Sequence, residues 1–184
     1  MRPIFTVHAG EYLAACHIEA KFKNLRVWIP SKDDGIDLLI TNKKRSKSLA
    51  LQVKFSKDFL ATNASPMLQS CLKAFGWWTL DAKKIESSAA DYWVFVLPSF
   101  KKNENSYVII PPSELLRKYR KIHGQDRRIQ SYLWITPQNK CWETRGLAAA
   151  DKTKAAEGTF LDPDRDFSAY LNDWSELEKM SNTG

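Results

Sequence analysis

The chain has 184 residues, of which 43% are hydrophobic and 27% charged, with a formal net charge of +7. These values are ordinary for one globular domain with its own core, and they exclude a disordered or low-complexity protein. No apolar run approaches the ~20 residues of a membrane helix, so we expect a cytoplasmic protein with no membrane partner. Cys16, Cys71 and Cys141 are far apart and flanked by apolar residues, so we expect buried side chains in a reducing compartment, not disulfides or a zinc site.

The charge is unevenly distributed along the chain. Residues 1–150 carry 24 Lys and Arg against 13 Asp and Glu, a net charge of +11, whereas residues 151–184 carry 4 against 8, a net charge of −4. A basic body suits a polyanionic partner, because neutralising phosphates releases their counterions. The charge by itself is equally compatible with a role in solubility.

A first helix is predicted over residues 7–23, although Gly10 is a weak point in its first turn. At helical spacing Glu11 shares a face with apolar residues, namely Ala14, Ala15, Ile18 and Phe22. A carboxylate on an apolar stripe needs a cation or several hydrogen-bond donors. Two interpretations stay open: Glu11 is stabilised by the helix macrodipole close to solvent, or it belongs to a metal site.

A β-hairpin is predicted over residues 35–55, where two apolar runs flank a polar, cationic turn. With the turn centred at residues 44–45, the antiparallel ladder places Asp37 directly opposite Gln52, so both point to the same face. Lys54 shares that face, because residues i and i+2 of a strand point to the same side. An acid, an amide and an amine therefore converge on one side of an otherwise apolar hairpin.

This convergence has two interpretations. In the first, Asp37 and Lys54 form a salt bridge at the rim of the sheet. In the second, Asp37 binds a hard divalent cation beside the side-chain oxygen of Gln52, and Lys54 orients or deprotonates a water. Asp33 and Asp34 precede this strand and could reach the same cation, although consecutive acids before a strand are usually turn residues.

A second helix is predicted to begin at Ser65 and Pro66, since proline fits the first turn of a helix. Its core-facing residues are Leu68, Leu72, Phe75 and Leu80. Trp77 and Trp78 lie in this segment, and we expect them to pack in the core, with base stacking as the alternative.

Further strands are predicted at residues 25–29, 91–97, 107–110 and 132–135. A third helix begins at Ser113 and ends near Gly124. Residues 146–163 lack periodicity and predict a loop. Apolar residues then recur at helical spacing from Phe167 to Met180, which predicts a docked amphipathic C-terminal helix.

Two cationic clusters are candidate surfaces for phosphate contacts. One is the hairpin turn, and the other is the outward side of the third helix with the segment behind it. They comprise Lys43, Lys44, Arg45 and Lys47, and Arg117, Lys118, Arg120, Lys121, Arg127 and Arg128. The density of cations favours phosphate contacts, and an ordinary solvated helix face is the alternative.

An Asp followed on the next strand by Gln-x-Lys resembles the core motif of the PD-(D/E)XK, or restriction-endonuclease-like, nuclease superfamily. The resemblance is carried by Asp37, Gln52 and Lys54, in the settings GID (residues 35–37) and LQVK (residues 51–54). It implies an α/β fold with a core of order αβββαβ, in which helices flank a mixed central sheet. The predicted elements begin in this order.

We therefore predict a single domain over residues 1–184. Residues 7–97 form the nuclease-like core, and residues 98–150 add strands and helices to it. Residues 151–184 form an acidic C-terminal segment with the docked helix.

The resemblance also implies an activity, a Mg²⁺- or Mn²⁺-dependent DNA endonuclease. Glu11 on the preceding helix, Asp37, Gln52 and the backbone carbonyl of Val53 are then the metal ligands, and Lys54 orients the attacking water. The superfamily most often has Glu or Asp where this chain has the neutral Gln52, so the site carries one negative charge less. DNA is the expected partner, and a homodimer is left open. A catalytically inactive DNA-binding protein and a protein-interaction module are the alternatives.

Overall fold

The computed structural model describes residues 9–32, 34–56, 71–99 and 104–183, which form a mixed α/β arrangement. In chain order the elements are α1 (Ala9–Lys21), β1 (Leu25–Trp28), β2 (Leu38–Asn42), β3 (Ser48–Phe55), β4 (Ala74–Asp81), α2 (Ala82–Glu86), β5 (Tyr92–Ser99), β6 (Glu104–Ile110), α3 (Pro112–His123), β7 (Arg128–Ile135), β8 (Cys141–Glu143), α4 (Ala149–Glu157), a 3₁₀ turn (Ser168–Tyr170) and α5 (Ser175–Asn182). None of these described helices is long and apolar enough to cross a membrane.

The larger of the two sheets that the described strands form is mixed. Its strand order is β1-β2-β3-β5-β6, with β3 and β5 parallel and the other neighbours antiparallel. Residues 29–37 and 43–47 join the antiparallel strands β1 to β3, whereas the parallel step from β3 to β5 needs a longer crossover. The predicted mixed sheet flanked by helices is confirmed.

The hairpin has the predicted register. Leu38 pairs with Leu51 at the end of the β2–β3 ladder, and one further step along both strands places Asp37 opposite Gln52. A shift by one residue would have moved every side chain to the other face. The hairpin therefore sets which polar side chains share a face.

The smaller sheet corrects two predictions. β4, β7 and β8 form an antiparallel sheet of their own instead of joining one central sheet. β4 also replaces most of the predicted second helix, whose start at Ser65 and Pro66 lies outside the described residues. Its buried positions alternate as in a strand: Ala74, Gly76, Trp78 and Leu80. Aromatic side chains on both faces of β4 concealed this alternation from the sequence pattern.

α1 and the smaller sheet pack against opposite faces of the larger sheet. Leu51 and Val53 share a hydrophobic core with Ile18 of α1. Because side chains alternate along a strand, Gln52 and Lys54 face the other side, where β4, β5 and β7 form a second core. A carboxylate on α1 lies on the other side of the sheet from Gln52 and Lys54. It can therefore approach them only beyond the end of β2, where the sheet does not separate them.

The C-terminal region differs from its prediction in two places. The loop predicted over residues 146–163 contains α4, whose buried residues are Ala155 and Ala156, too small to give an apolar stripe in the sequence. The C-terminal helix α5 is shorter than predicted. The chain before it divides between the two cores, since Phe167 packs in the core of the smaller sheet and Trp174 packs with α1.

The cysteines are correctly predicted at one position of three. Cys141 is buried, whereas Cys16 and Cys71 are exposed. Cys16 lies two residues from each of the buried Ala14 and Ile18, and therefore on the outward side of α1.

Candidate functional site

The candidate site lies where β2 ends and β3 continues. The backbone N–H of Asp37 donates to the carbonyl of Leu51 (2.8 Å), which extends the ladder by one bond. The side chain of Asp37 continues the pairing with β3, because its Oδ2 accepts hydrogen bonds from the backbone N–H of Val53 (2.8 Å) and from the side-chain amide of Gln52. These bonds hold a carboxylate that is only 3% exposed beside the edge of β3.

Glu11 is brought to the same place by a close contact between α1 and β3. A Cβ atom on Gly10 would lie 2.6 Å from Cβ of Phe55, so only glycine allows this approach of the helix to the strand. The weak point that the sequence shows in the first helical turn is therefore a packing requirement. The next side chain, Glu11, is 3% exposed and inside the molecule, not at a solvated helix start.

Lys54 forms a third part of the site. Its Nζ atom lies 5.1 Å from the ring centroid of Trp93, which belongs to the neighbouring parallel strand β5. A cation over an aromatic ring is attracted by the negative face of the ring. This contact sets the direction of a long, flexible side chain that shares its face with Gln52.

One cavity of about 560 Å³ joins these groups. The predicted site residues Glu11, Asp37, Gln52, Val53 and Lys54 all line it. The remaining described residues of its wall are Asp34, Gly35, Lys84, Ser87, Ser88, Ala89 and Trp93. Thus the structure brings together the full set of predicted catalytic and metal-binding residues, together with Asp34 from the preceding turn, whereas Asp33 lies outside the described residues.

Sequence reasoning missed the opposite wall of the cavity. Lys84, Ser87 and Ser88 come from α2 and the turn behind it. An ammonium group and two hydroxyls are groups that bind phosphate oxygens. No local pattern marks them, because they reach the cavity only through the packing of α2 against α3 and β4 and the hydrogen bond from the Trp93 indole to Ser88 Oγ.

The donor set fits a hard cation better than a soft one. In the described ranges, no group of three or more His, Cys, Asp and Glu side chains could hold a metal ion. Magnesium nevertheless binds to proteins through one or two carboxylates and keeps several waters. Glu11 and Asp37 supply two buried carboxylates, and half a turn of the Gln52 amide would turn its oxygen towards them.

The hairpin-turn cations lie on the surface as predicted. Lys43, Lys44, Arg45 and Lys47 are exposed. The Arg45 guanidinium carbon lies 5.7 Å from the ring centroid of Trp28 on β1. This cluster presents its positive charge to solvent at the end of the hairpin remote from Asp37.

The α3 cations are not equivalent, and the placement of Lys118 is corrected. Lys118 is buried, and its Nζ donates to three backbone carbonyls of the segment that leads to the 3₁₀ turn. These are Pro163 at 3.0 Å, Asp164 at 3.3 Å and Asp166 at 2.9 Å. Burial, with the charge of Arg117, lowers the pKa of Lys118. Its role is to anchor the chain, so it does not lie on the outward face of the helix.

The other cations of this cluster mostly have acidic partners. Arg117 forms two hydrogen bonds to Glu114 (2.6 and 2.8 Å), which together with a bond from Tyr170 lower the pKa of Glu114 to about 2. Further pairs join Arg120 to Glu86, Lys121 to Asp164 and Arg127 to Asp81, each at 3.0 Å. Arg128 is exposed. DNA phosphates would have to compete with these carboxylates.

Comparison with protein-family models, curated proteins and solved structures gives no match for this chain. Its function is therefore inferred from the geometry and chemistry of its own residues.

Proposed function

We propose that this chain is a divalent-metal-dependent DNA endonuclease that hydrolyses phosphodiester bonds and has a restriction-endonuclease-like core. The observation that carries the proposal is the convergence of Glu11, Asp37, Gln52 and Lys54 on one cavity. Two buried acids beside an amine are the parts that metal-assisted hydrolysis requires.

The strand order supports the same proposal. The antiparallel β1–β2–β3 meander follows α1, and β5 then adds parallel to β3. With β4 set aside, the described elements α1, β1, β2, β3, α2 and β5 follow the order αβββαβ that the resemblance implies. β4 and its sheet are then an insertion between the third and fourth core strands.

In the proposed site, Asp37 and Glu11 hold the cation with the Gln52 oxygen. The carbonyl of Val53 points to the same side of β3 as its N–H, which donates to Asp37, so it is available as a further ligand. The bound cation would supply charge stabilisation for the phosphoryl oxygens. Lys54 orients the attacking water, and Lys84 on the opposite wall binds the phosphate.

A catalytically inactive DNA-binding protein is the second candidate. The observation that favours it is the hydrogen bond from the Gln52 amide to the Asp37 carboxylate, which satisfies this acid without a cation. Both candidates have a basic surface, but only the endonuclease would cleave DNA.

A nicking assay separates them. Supercoiled plasmid is incubated with the wild type, with Asp37→Asn and with Asp126→Asn, in Mg²⁺, Mn²⁺ or EDTA. We expect nicking by the wild type with either metal, none in EDTA, and a loss of at least about 100-fold in Asp37→Asn. Asp126 is exposed outside the cavity, and its variant should match the wild type. Absence of nicking by the wild type on duplex, branched and single-stranded DNA would leave the inactive binder.

Gln52→Glu provides a second, more specific test. The substitution keeps the length of the side chain and adds a negative charge to the proposed ligand set. We expect Mn²⁺ and Mg²⁺ to bind more tightly by about tenfold, which calorimetric titration measures, and nicking to persist. Gln52→Leu is the matched control, since it has neither charge nor oxygen. Equal metal affinity in Gln52→Glu and Gln52→Leu would contradict the role of this position as a ligand.

A further inference from the structure

The outer face of the smaller sheet carries an aromatic pair that the candidate cavity does not use, the exposed Trp77 and the half-buried Tyr132. Trp77 of β4 pairs directly with Tyr132 of β7, and their ring centroids lie 6.2 Å apart with an angle of 27° between the planes. Trp77 is 37% exposed. The guanidinium carbon of Arg145 lies 5.6 Å from the centroid of the Tyr132 ring.

The neighbouring tryptophan shows that the exposure of Trp77 is not a by-product of filling the core. Trp78 points inward, is 6% exposed and packs edge-on against Phe95 at 4.9 Å between centroids. For Trp77 and Trp78 the sequence leaves two alternatives open, core packing and base stacking, and the two residues differ. Core packing accounts for Trp78 and leaves Trp77 without a structural role in the core.

A single buried carboxylate holds the backbone of Tyr132 and Arg145 in place. Glu143, which is fully buried, accepts hydrogen bonds from the backbone N–H groups of Tyr132 (3.1 Å) and Arg145 (3.2 Å). Arg165 donates to the same Glu143 side chain (2.9 Å) and to the carbonyl of Arg145 (2.9 Å). The backbone that carries Tyr132 and Arg145 is thus fixed, and the pairing of β4 with β7 fixes that of Trp77, which reduces the entropy lost when a ligand binds.

The aromatic pair is joined directly to the strand that carries Lys54. The backbone N–H of Trp77 donates to Oγ of Ser56 at 3.1 Å. A Cβ atom on Gly76 would lie 3.0 Å from Cβ of Ser56 and 2.5 Å from the Trp78 ring, so β4 and the end of β3 are in tight contact. Lys54 lies two residues before Ser56, a span of about 7 Å in an extended strand, so β4 passes close to the strand that carries Lys54.

We propose that Trp77, Tyr132 and Arg145 form a stacking platform for unpaired bases of a DNA strand whose backbone passes the candidate cavity. Every base has a π-face, so exposed aromatic rings bind single strands without regard to sequence, and an arginine beside them adds cation–π and phosphate attraction. The net charge of +7 over the whole chain adds a general attraction for a polyanion. The preferred substrate is then DNA with a single-stranded segment, an inference that rests on the proposed endonuclease function.

The test measures binding in EDTA, so that it does not depend on cleavage. Fluorescence anisotropy compares a labelled 20-residue oligothymidylate with a blunt duplex of equal length at one ionic strength. We expect Trp77→Ala to weaken binding of the single strand by about tenfold and binding of the duplex by less than about twofold. Trp77→Phe should stay within about threefold of the wild type for both DNAs. Thr79→Ala, an exposed position two residues along the same face, is the control and should change neither.

Tryptophan emission gives an independent readout if Trp77→Ala fails to fold. Stacking of thymine on Trp77 quenches part of the emission of the wild type. Trp77→Phe should retain affinity for the oligothymidylate and lose that part of the quenching. Equal quenching in both proteins would overturn the platform.

Two other outcomes would also overturn it. In one, folded Trp77→Ala binds single strands with wild-type affinity, or loses single-strand and duplex binding equally. In the other, Trp77→Ala abolishes self-association in sedimentation without changing DNA binding, which would assign the pair to a protein interface. The two proposals are tested independently. If Trp77 does not bind bases, the nicking assay with Asp37→Asn still tests the endonuclease, and if the wild type does not nick DNA, the binding comparison in EDTA still tests the platform.

Discussion

The cavity at the end of β2 and the cationic surface of α3 both contain several charged side chains, but these differ in burial and in their partners. In the cavity, Glu11 and Asp37 are both buried and line its wall together with Lys54. On α3, Arg120 and Lys121 are exposed, and each is paired with an acid from another part of the chain.

This difference shows that charge density in a sequence is a poor guide to available charge. Surface ion pairs are weak, contributing about 0–1 kcal/mol to stability, and phosphate can displace their acids. Buried acids are held in place by specific hydrogen bonds, because leaving them without partners would be costly. Substitutions in the cavity should therefore act on chemistry, and those on α3 should act on the strength and salt dependence of DNA binding.

The largest expected effect is a difference in nicking rate between a variant of Lys54 in the cavity and a variant of Arg117 on α3. Lys54→Ala should lower the rate of plasmid nicking by about 100- to 1000-fold, because it removes the group that we propose to orient the water. Arg117→Ala should change it by less than about threefold at saturating DNA, since Arg117 is engaged by Glu114. Single-turnover nicking rates at several protein concentrations check this. Similar losses in both variants would remove the distinction between the two regions.

A second effect separates two cations within α3 by stability. Lys118→Met should lower the free energy of unfolding by about 2–3 kcal/mol, because three backbone carbonyls lose a buried donor. Arg120→Ala removes an exposed pair with Glu86 and should cost less than about 1 kcal/mol. Urea denaturation followed by circular dichroism measures both. If Lys118→Met is as stable as Arg120→Ala, Lys118 does not anchor the chain.

A third effect concerns the acids that pair with the α3 cations. Glu86→Gln with Asp164→Asn should release Arg120 and Lys121 for DNA phosphates. We expect DNA affinity to rise about two- to fivefold at low salt, and the slope of log affinity against log salt to steepen by about one to two units. Asp151→Asn, which removes the acid of a separate pair with Lys154, is the matched control. An unchanged slope would show that α3 does not face the DNA.

The smallest expected effect is a pH dependence that arises outside both regions. Burial, and then the charge of Lys21, lower the pKa of His17 below its usual value of 6.5. The ring stacks on Trp174 with centroids 5.2 Å apart, between α1 and the segment before α5. Between the lowered pKa and 6.5 the unfolded chain binds more protons than the folded one, so stability rises with pH. The contribution of His17 is complete above pH 6.5 and is lost as the pH falls below it.

Urea denaturation between pH 7.5 and pH 5 measures this effect, which should be smaller than that of Lys118→Met. His17→Gln, which does not titrate in this range, should flatten the pH dependence. An equal slope in the two proteins would assign it to other groups.

The geometry of the hairpin was predictable because its determinants are local. One turn and a period of two fix Asp37 opposite Gln52, and the apolar neighbours of these residues specify which face is buried. The burial of Glu11 was likewise visible from helical spacing. The tight contact of Gly10 with Phe55 was not, because it joins elements that are distant in sequence.

Other features of the fold depended on contacts that leave no pattern in the sequence. The strand β4 has aromatic residues on both faces, so it lacked the alternation of a half-buried strand, and its pairing with β7 is decided far along the chain. The helix α4 buries only small residues. The partners of the α3 cations, such as Glu86 and Asp164, are likewise set by tertiary packing.

The pairing of β4 with β7 also orders the events of folding. Asp81 pairs with Arg128 and Ala74 with Ile135, so β4 must wait for a strand that is synthesised much later, whereas β1, β2 and β3 can pair as they emerge. Contacts that close long loops form slowly. A nascent chain that ends before residue 128 can therefore hold the hairpin with Asp37 and Gln52 without the pairing of Trp77 with Tyr132. In the proposed endonuclease, the stacking platform would thus be completed later in synthesis than the hairpin of the metal site.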